Sequence, residues 1–187
     1  MEHGILYYVV GASGSGKDTL CVHARRQIKE ERVLFAHRYI TRQAHAGGEN
    51  HVALSRPEFE ARKRGGLFAM SWESHGHCYG IGAEVDFWLH RGFHVVVNGS
   101  RGYLPQARAL YSHMVVIEVT VSSDVLRDRL EARGRETPAE IELRMKRSFS
   151  VPSVTHPHLV TLSNDGDLAT SVASFLKIIT SPFQATA

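Results

Sequence analysis

Gly11-Ala12-Ser13-Gly14-Ser15-Gly16-Lys17-Asp18 lies between an apolar run, Ile5-Leu6-Tyr7-Tyr8-Val9-Val10, and a helical pattern carrying Leu20, Val22, Ala24 and Ile28. The octapeptide fits the phosphate-binding loop G-x-x-x-x-G-K-[ST] up to its last position, where Asp18 stands for Ser or Thr. The apolar run reads as a buried parallel strand. Three glycines let backbone N–H groups wrap an anion, and the helix that follows points its positive end at the same anion. Lys17 then reaches the outer phosphates. Strand, loop, lysine and helix stand in the order that phosphate binding requires, so the stretch is more than a glycine-rich turn.

Asp18 is the anomaly. The usual hydroxyl ligates Mg²⁺. A carboxylate is also a hard oxygen ligand, able to hold the ion directly or through water. Thr19 and Ser15 offer hydroxyls beside it, and the sequence leaves the choice open.

The remaining chain reads as alternating strands and helices. Strands are expected over 4–10, 32–37 running into 38–42, 93–98, 114–120 and 159–164, with short strands over 67–72 and 77–79. Helices are expected over 16–30, from a Ser55 cap with Glu58 to Gly65-Gly66, over 83–90 and 105–111, after Ser122 or Ser123, around Ile141–Met145, and after Asp165-Gly166-Asp167. This alternation predicts an α/β P-loop kinase fold with a central parallel sheet of about five strands and right-handed crossovers. One domain of 187 residues is expected. Its core is 1–40 and 91–180, its substrate lobe about 41–90, its lid about 133–147 and its frayed tail 181–187. Ligands bind beyond strand C-termini in such sheets, which brings Asn98-Gly99-Ser100-Arg101-Gly102 to the site beside the loop.

Composition narrows the partners. The chain is 43% hydrophobic and 22% charged, with a net charge of +3, too weak to argue for nucleic acid. No run reaches the roughly 18 apolar residues of a membrane span, and Met1-Glu2-His3-Gly4 lacks the basic start of a signal peptide. Cys21 and Cys78 give no disulfide framework and fit a reducing cytosol, so a cytoplasmic protein is expected. His75-Gly76-His77-Cys78 has no second ligand pair and reads as loop, not as a metal site. Arginines number 17 against 5 lysines, and the guanidinium fork grips phosphate in a way lysine does not.

These arginines fall in polar breaks: Arg38 and Arg42, Arg101, the set Arg127, Arg129, Arg133 and Arg135, then Arg144 and Arg147 on one helix face. Arg133-Gly134-Arg135 with Arg144 has the makings of a mobile lid that neutralises charge on a transferred phosphoryl group. No Ser-His-Asp set, zinc motif or glycosidase-type carboxylate pair is present. None is needed if the acceptor is a phosphate, whose second pKa of about 6 leaves it anionic at neutral pH.

From about residue 5 to 180 the chain resembles the guanylate kinase-like branch of P-loop phosphotransferases. The likeness rests on the loop, Tyr39-Ile40-Thr41-Arg42, Gly48-Glu49, Ser55 to Phe59, Tyr79-Gly80, Arg129 to Gly134, Ile141 to Arg144, and Asn164-Asp165. It departs where that branch reads a base. Ser71 replaces an acidic residue before the aromatic matching Trp72. His51 replaces a tyrosine, His45 is nearest to a second substrate arginine, and Asn98 and Ser100 replace an acidic pair.

Ala36 to Arg42, Gly48-Glu49-Asn50-His51, Val97 to Arg101 with Leu104 to Arg108, and Lys17-Asp18 are similar to the PhnN-type ribose 1,5-bisphosphate phosphokinases. That resemblance implies ATP and Mg²⁺ as cofactors. It implies phosphorylation of the 1-phosphate of α-D-ribose 1,5-bisphosphate to 5-phospho-α-D-ribose 1-diphosphate and ADP, in phosphonate breakdown. Gly11, Ser13, Gly14, Ser15, Gly16 and Lys17 then serve the ATP phosphates, and Asp18 or Thr19 the metal. Arg133, Arg135 and Arg144 serve the transition-state charge. Arg38, Arg42 and Arg101 grip the sugar phosphates, with Glu49, His51, Tyr79, Asn98 and Ser100 lining the sugar site and Asn164 and Asp165 at the adenine. Two other readings are a nucleoside monophosphate kinase with altered base choice and a non-enzymatic guanylate kinase-like interaction module. The module usually has a degenerate phosphate loop, which this chain does not. The oligomeric state, monomer or homodimer, is open.

Overall fold

Leu6 to Val10 are all fully buried, so the first strand has no solvent-facing side. Such a strand is stable only with neighbours on both edges and helices on both faces. The computed structural model describes residues 3–44, 49, 51–134, 136–150 and 154–181, with backbone alone at 147, 149 and 150. In chain order the elements begin with β1 (Leu6–Gly11), α1 (Lys17–Gln27), β2 (Val33–Phe35), β3 (Arg38–Ile40), β4 (Val52–Ala53) and α2 (Arg56–Arg64). They continue with β5 (Phe68–Ser74), β6 (His77–Gly82), α3 (Glu84–His90), β7 (His94–Asn98) and α4 (Leu104–Leu110). The last are β8 (Met114–Thr120), α5 (Ser123–Arg133), α6 (Pro138–Ser150), β9 (Leu159–Ser163) and α7 (Leu168–Thr180). A 3-10 turn, Arg101–Tyr103, precedes α4.

Five parallel strands form the large sheet in the order β2-β7-β1-β8-β9. Side chains alternate between faces along each strand, and two cores follow. Leu6, Tyr8 and Val10 pack with Val95, Val97, Met114 and Val116 against Val85 and Leu89 of α3 and Leu104 and Ala107 of α4. Tyr7 and Val9 pack with Val96, Val115 and Ile117 against Leu20 and Ala24 of α1 and Val172, Phe175 and Ile179 of α7. Each such side chain contributes roughly 1.5–3 kcal/mol by leaving water.

A second sheet, β4-β3-β6-β5, carries the lobe. Its β5–β6 hairpin turns through His75 and Gly76, both at positive φ, 49° and 76°, the backbone of a two-residue primed turn. The stretch read as one strand through 42 breaks at Ala36-His37: β2 joins the large sheet and β3 the small one, pairing Tyr39 with Gly80. The lobe sheet therefore starts at Arg38. α3, expected in the lobe, packs on the large sheet because Val85 and Leu89 belong to its core. α1 stops at Gln27, where Ile28 turns extended. The tail beyond 181 lies outside the described residues.

Candidate active site

The loop after β1 turns through Gly14 and Gly16 at φ 102° and 88°, a region that side chains with a Cβ rarely enter. A Cβ at Gly16 would lie 2.4 Å from Asn164 Nδ2. Gly16 caps α1 with no side-chain hydrogen bond, so the first-turn N–H groups face whatever the loop holds. The loop is braced from behind. Asn164, 3% exposed, donates from Nδ2 to Ser15 O at 2.7 Å, and Arg129 donates to Asn164 O at 2.7 Å. Asn164 thus turns its amide to the loop backbone. Asp165 accepts from Ser122 N at 2.7 Å and Ser163 Oγ at 2.9 Å.

In front of the loop lies an open cleft of about 1200 Å³. It brings together Gly11, Ser13, Lys17, Asp18, Arg38, Arg42, Tyr79, Ser100, Arg101 and Arg144. Burial pulls the Lys17 ammonium below its ordinary pKa, against the upward pull of Asp18. Other expected site residues stand off the cleft wall. Thr19 is exposed on α1, and Arg133 is exposed at the end of α5. Asn98, His51 and Glu49 lie behind the wall, and Arg135 falls outside the described residues.

Behind Lys17 runs a chain of charged groups. Arg38, 8% exposed, presents Nε and Nη2 to both carboxylate oxygens of Glu49 and donates from Nη2 to Asp18 Oδ1 at 3.3 Å. Arg42 lies 3.6 Å from Glu49 Oε2. Asn98 donates from Nδ2 to the same Asp18 Oδ1 at 2.6 Å. The ring nitrogens of His51 lie 3.3 Å from Glu49 O and 3.2 Å from Arg42 O. Burial pushes the Asp18 carboxyl up, but Lys17, Arg38 and the Asn98 amide outweigh it and hold the group below the usual aspartate range. Burial lowers the Arg38 pKa, and Glu49 more than restores it. Arg38, expected to grip a sugar phosphate, has its fork taken up by two carboxylates.

Two walls complete the cleft. On the lobe side Trp72 stacks on Tyr79, centroids 5.6 Å apart and planes at 1°, and touches Tyr103 of the core at 5.6 Å. On the lid side Arg144 donates to Ser13 Oγ at 2.7 Å and pairs with Glu136, while both Arg101 Nη atoms lie 3.5 Å from Ser148 O. Sequence reasoning set Arg129 among the phosphate-handling arginines and Trp72 at the base-reading position, but missed Glu136 and Tyr103 as site-building residues. It also missed Tyr8, whose hydroxyl holds the Ser100 backbone. The strand carries two hydroxyls, Tyr7 and Tyr8, and nothing in the sequence singles out Tyr8 as the one that reaches Ser100.

The donors at the cleft floor fit a hard divalent cation. Asp18 offers a carboxylate to the cleft beside the phosphate loop, while Asn98 Oδ1 and Ser15 Oγ, buried behind the wall, have no hydrogen-bond partner among the described residues. Hard oxygen atoms are what Mg²⁺ requires. The one group of three close metal-ligating side chains among the described residues, Glu60, Glu73 and Cys78, lies in the lobe, where Glu73 is paired with Arg56 at 2.6 Å.

A glycine cradle opening into an arginine-lined cleft at the C-terminal ends of parallel strands is equipped to move phosphoryl groups, and the chain is by class a P-loop phosphotransferase with a guanylate kinase-like fold. Guanylate kinase from Anaplasma phagocytophilum shares the fold with TM-score 0.66 at 17% identity, covering 95% of this chain and 86% of that one. A gluconokinase from Sinorhizobium meliloti does so with TM-score 0.51 at 18% identity, over 94% of this chain and 93% of that one. No family profile matches the chain. Curated relatives named ribose 1,5-bisphosphate phosphokinase PhnN do. That of Desulfomicrobium baculatum is 54% identical over 165 residues, 88% of each chain. That of Thiobacillus denitrificans is 50% identical over 90% of this chain and 88% of its own, and that of Pectobacterium atrosepticum 47% identical over 93% of each. The chain belongs to the ribose 1,5-bisphosphate phosphokinase PhnN family.

Proposed function

We propose that this protein transfers the γ-phosphoryl group of ATP to the 1-phosphate of α-D-ribose 1,5-bisphosphate, giving 5-phospho-α-D-ribose 1-diphosphate and ADP. One observation carries the proposal. A single cleft unites the Lys17 loop with Arg42 and Arg101, has Ser71 before Trp72 of the aromatic wall, and has the Glu73 carboxylate after it paired with Arg56 at 2.6 Å. A purine would leave its donors unpaired there, whereas an acceptor with two phosphates and no base finds guanidinium groups. The names of the relatives support the same acceptor.

An oxygen of the 1-phosphate attacks the γ-phosphorus, the bond to the bridging oxygen breaks, and ADP leaves with that oxygen. The acceptor is already anionic, so no base is required. Gly14, Ser15 and Gly16 cradle the β- and γ-phosphates with Lys17. Mg²⁺, when bound, would supply charge neutralisation, and Asp18 is the residue that would hold it. Arg144, already against Ser13 of the loop, faces the charge that develops on the transferred group. Arg133, exposed at the end of α5, and Arg135 are the further candidates for that charge. Arg42 and Arg101 hold the two sugar phosphates, and Tyr79 and Ser100 border the ribose. Asp165 is the exposed candidate near the adenine. Among the described residues no helix is long and apolar enough to cross a membrane, and both cysteines are free. A reducing cytoplasm that holds ATP suits both.

Phosphorus NMR of a reaction with ATP, Mg²⁺ and ribose 1,5-bisphosphate tests the proposal. New diphosphate resonances of the sugar are expected, with no comparable ADP release when GMP replaces the sugar. Turnover of GMP with an unchanged sugar bisphosphate would overturn it in favour of a nucleotide kinase.

A further inference from the structure

We infer that Arg38 is a positioning residue: it is the fixed counter-charge that lets an aspartate stand where phosphate loops carry a hydroxyl. This rests on the metal role given to Asp18 above. A hydroxyl at that position is neutral. A carboxylate brings a full negative charge to the place where the nucleotide's phosphates must sit, and like charges at short range repel in a partly desolvated site.

The structure answers that charge directly. Asp18 Oδ1 takes Arg38 Nη2 at 3.3 Å and Asn98 Nδ2 at 2.6 Å. One oxygen is therefore held twice, and Oδ2, with no hydrogen bond among the described residues, is the oxygen left for a cation. Arg38 cannot swing away, because Glu49 grips its fork through both oxygens and Arg38 is only 8% exposed. Three cations, Lys17, Arg38 and Arg42, act on the Asp18 carboxylate, so its charge is answered locally. Arg38 belongs to β3 of the lobe and Asp18 to α1 of the core. The same contact thus seats the lobe against the metal position.

A double-mutant cycle tests this, with Asp18→Ser, Arg38→Met and the two combined. The direct readout is Mn²⁺ bound in the presence of ADP, followed by the electron paramagnetic resonance of free Mn²⁺. With Asp18 present, Arg38→Met weakens binding of the Mn²⁺–ADP complex roughly tenfold, because the uncompensated carboxylate repels the diphosphate, a loss within the coupling range of contacting charges. In the Asp18→Ser background the same change alters it less than about twofold. Arg38→Lys, which keeps the charge but loses the fork, gives an intermediate loss in the Asp18 background alone and guards against a misfolded Met variant. An equal loss in both backgrounds would overturn the inference. So would an unchanged Mn²⁺ affinity with a raised KM for the sugar bisphosphate, which would make Arg38 an acceptor ligand. If the wild type fails to phosphorylate ribose 1,5-bisphosphate, the proposed function fails, while the Mn²⁺–ADP cycle still reports on Arg38.

Discussion

The Tyr8 hydroxyl and the Ser100 backbone exchange two hydrogen bonds: Tyr8 Oη donates to Ser100 O at 3.1 Å and accepts from Ser100 N at 3.0 Å. The ring lies in the core of β1, and a Cβ at Gly99 would stand 2.2 Å from its Cζ. Burial pushes the phenol pKa well up, so the hydroxyl keeps the proton it donates. The core thereby sets the height of the segment that carries Ser100 and Arg101 into the cleft. Tyr8→Phe leaves a backbone N–H and C=O unpaired. It is expected to cost about 1–3 kcal/mol in urea unfolding and to raise KM for the sugar bisphosphate more than KM for ATP. An equal rise for both substrates would count against the role.

Lys17→Met separates function from stability. Burial already disfavours the Lys17 ammonium, so its loss removes a desolvation cost from the folded state. The variant should melt no lower than wild type at pH 7. Its rate of ADP release should fall by roughly 10²–10³, the scale of one preorganised electrostatic group. Retained turnover would remove the phosphate-loop assignment.

His94 links the fold to pH. Its Nδ1 accepts from Ile5 N at 3.0 Å, and burial followed by Arg32 holds the imidazole below its ordinary pKa of 6.5. The unfolded chain takes up this proton first. The stabilisation is therefore complete above about pH 6.5 and is lost as pH falls towards the lower folded value, by at most about 1.4 kcal/mol per pH unit. Urea midpoints measured from pH 7.5 to 5 should fall less steeply for His94→Gln than for wild type.

Gly16→Ala places a Cβ at φ 88° and 2.4 Å from Asn164 Nδ2. The left-handed backbone costs about 1–2 kcal/mol, and displacing the Asn164 bond to Ser15 O costs about 1 kcal/mol more. A melting point lowered by roughly 4–12 °C is expected for a domain of this size, with weaker ATP binding by calorimetry. Gly134→Ala, also at positive φ but with open space around its Cβ, should leave ATP affinity nearly unchanged.

The chain alone determined the parallel sheet, the loop and the class of chemistry. These features are written in local order: five buried residues before a glycine loop, a lysine at a helix start, and periods of two and 3.6 along the strands and helices. The Ser55 cap and Glu58 were equally legible, because capping is a contact between near neighbours, here at 3.3 Å. Only the folded chain decided which arginine meets which anion. Asn98 reaches Asp18 across 80 positions of sequence and Asn164 reaches Ser15 across 149. Arg38, at the cleft wall, gives its fork to Glu49 because β3 turns into the small sheet. Thr19 points outward while Asp18 points in, since residues one step apart on a helix face different ways. Charge can be counted along a sequence, but the direction of a side chain and the partner that neutralises it are set by how distant segments are brought together.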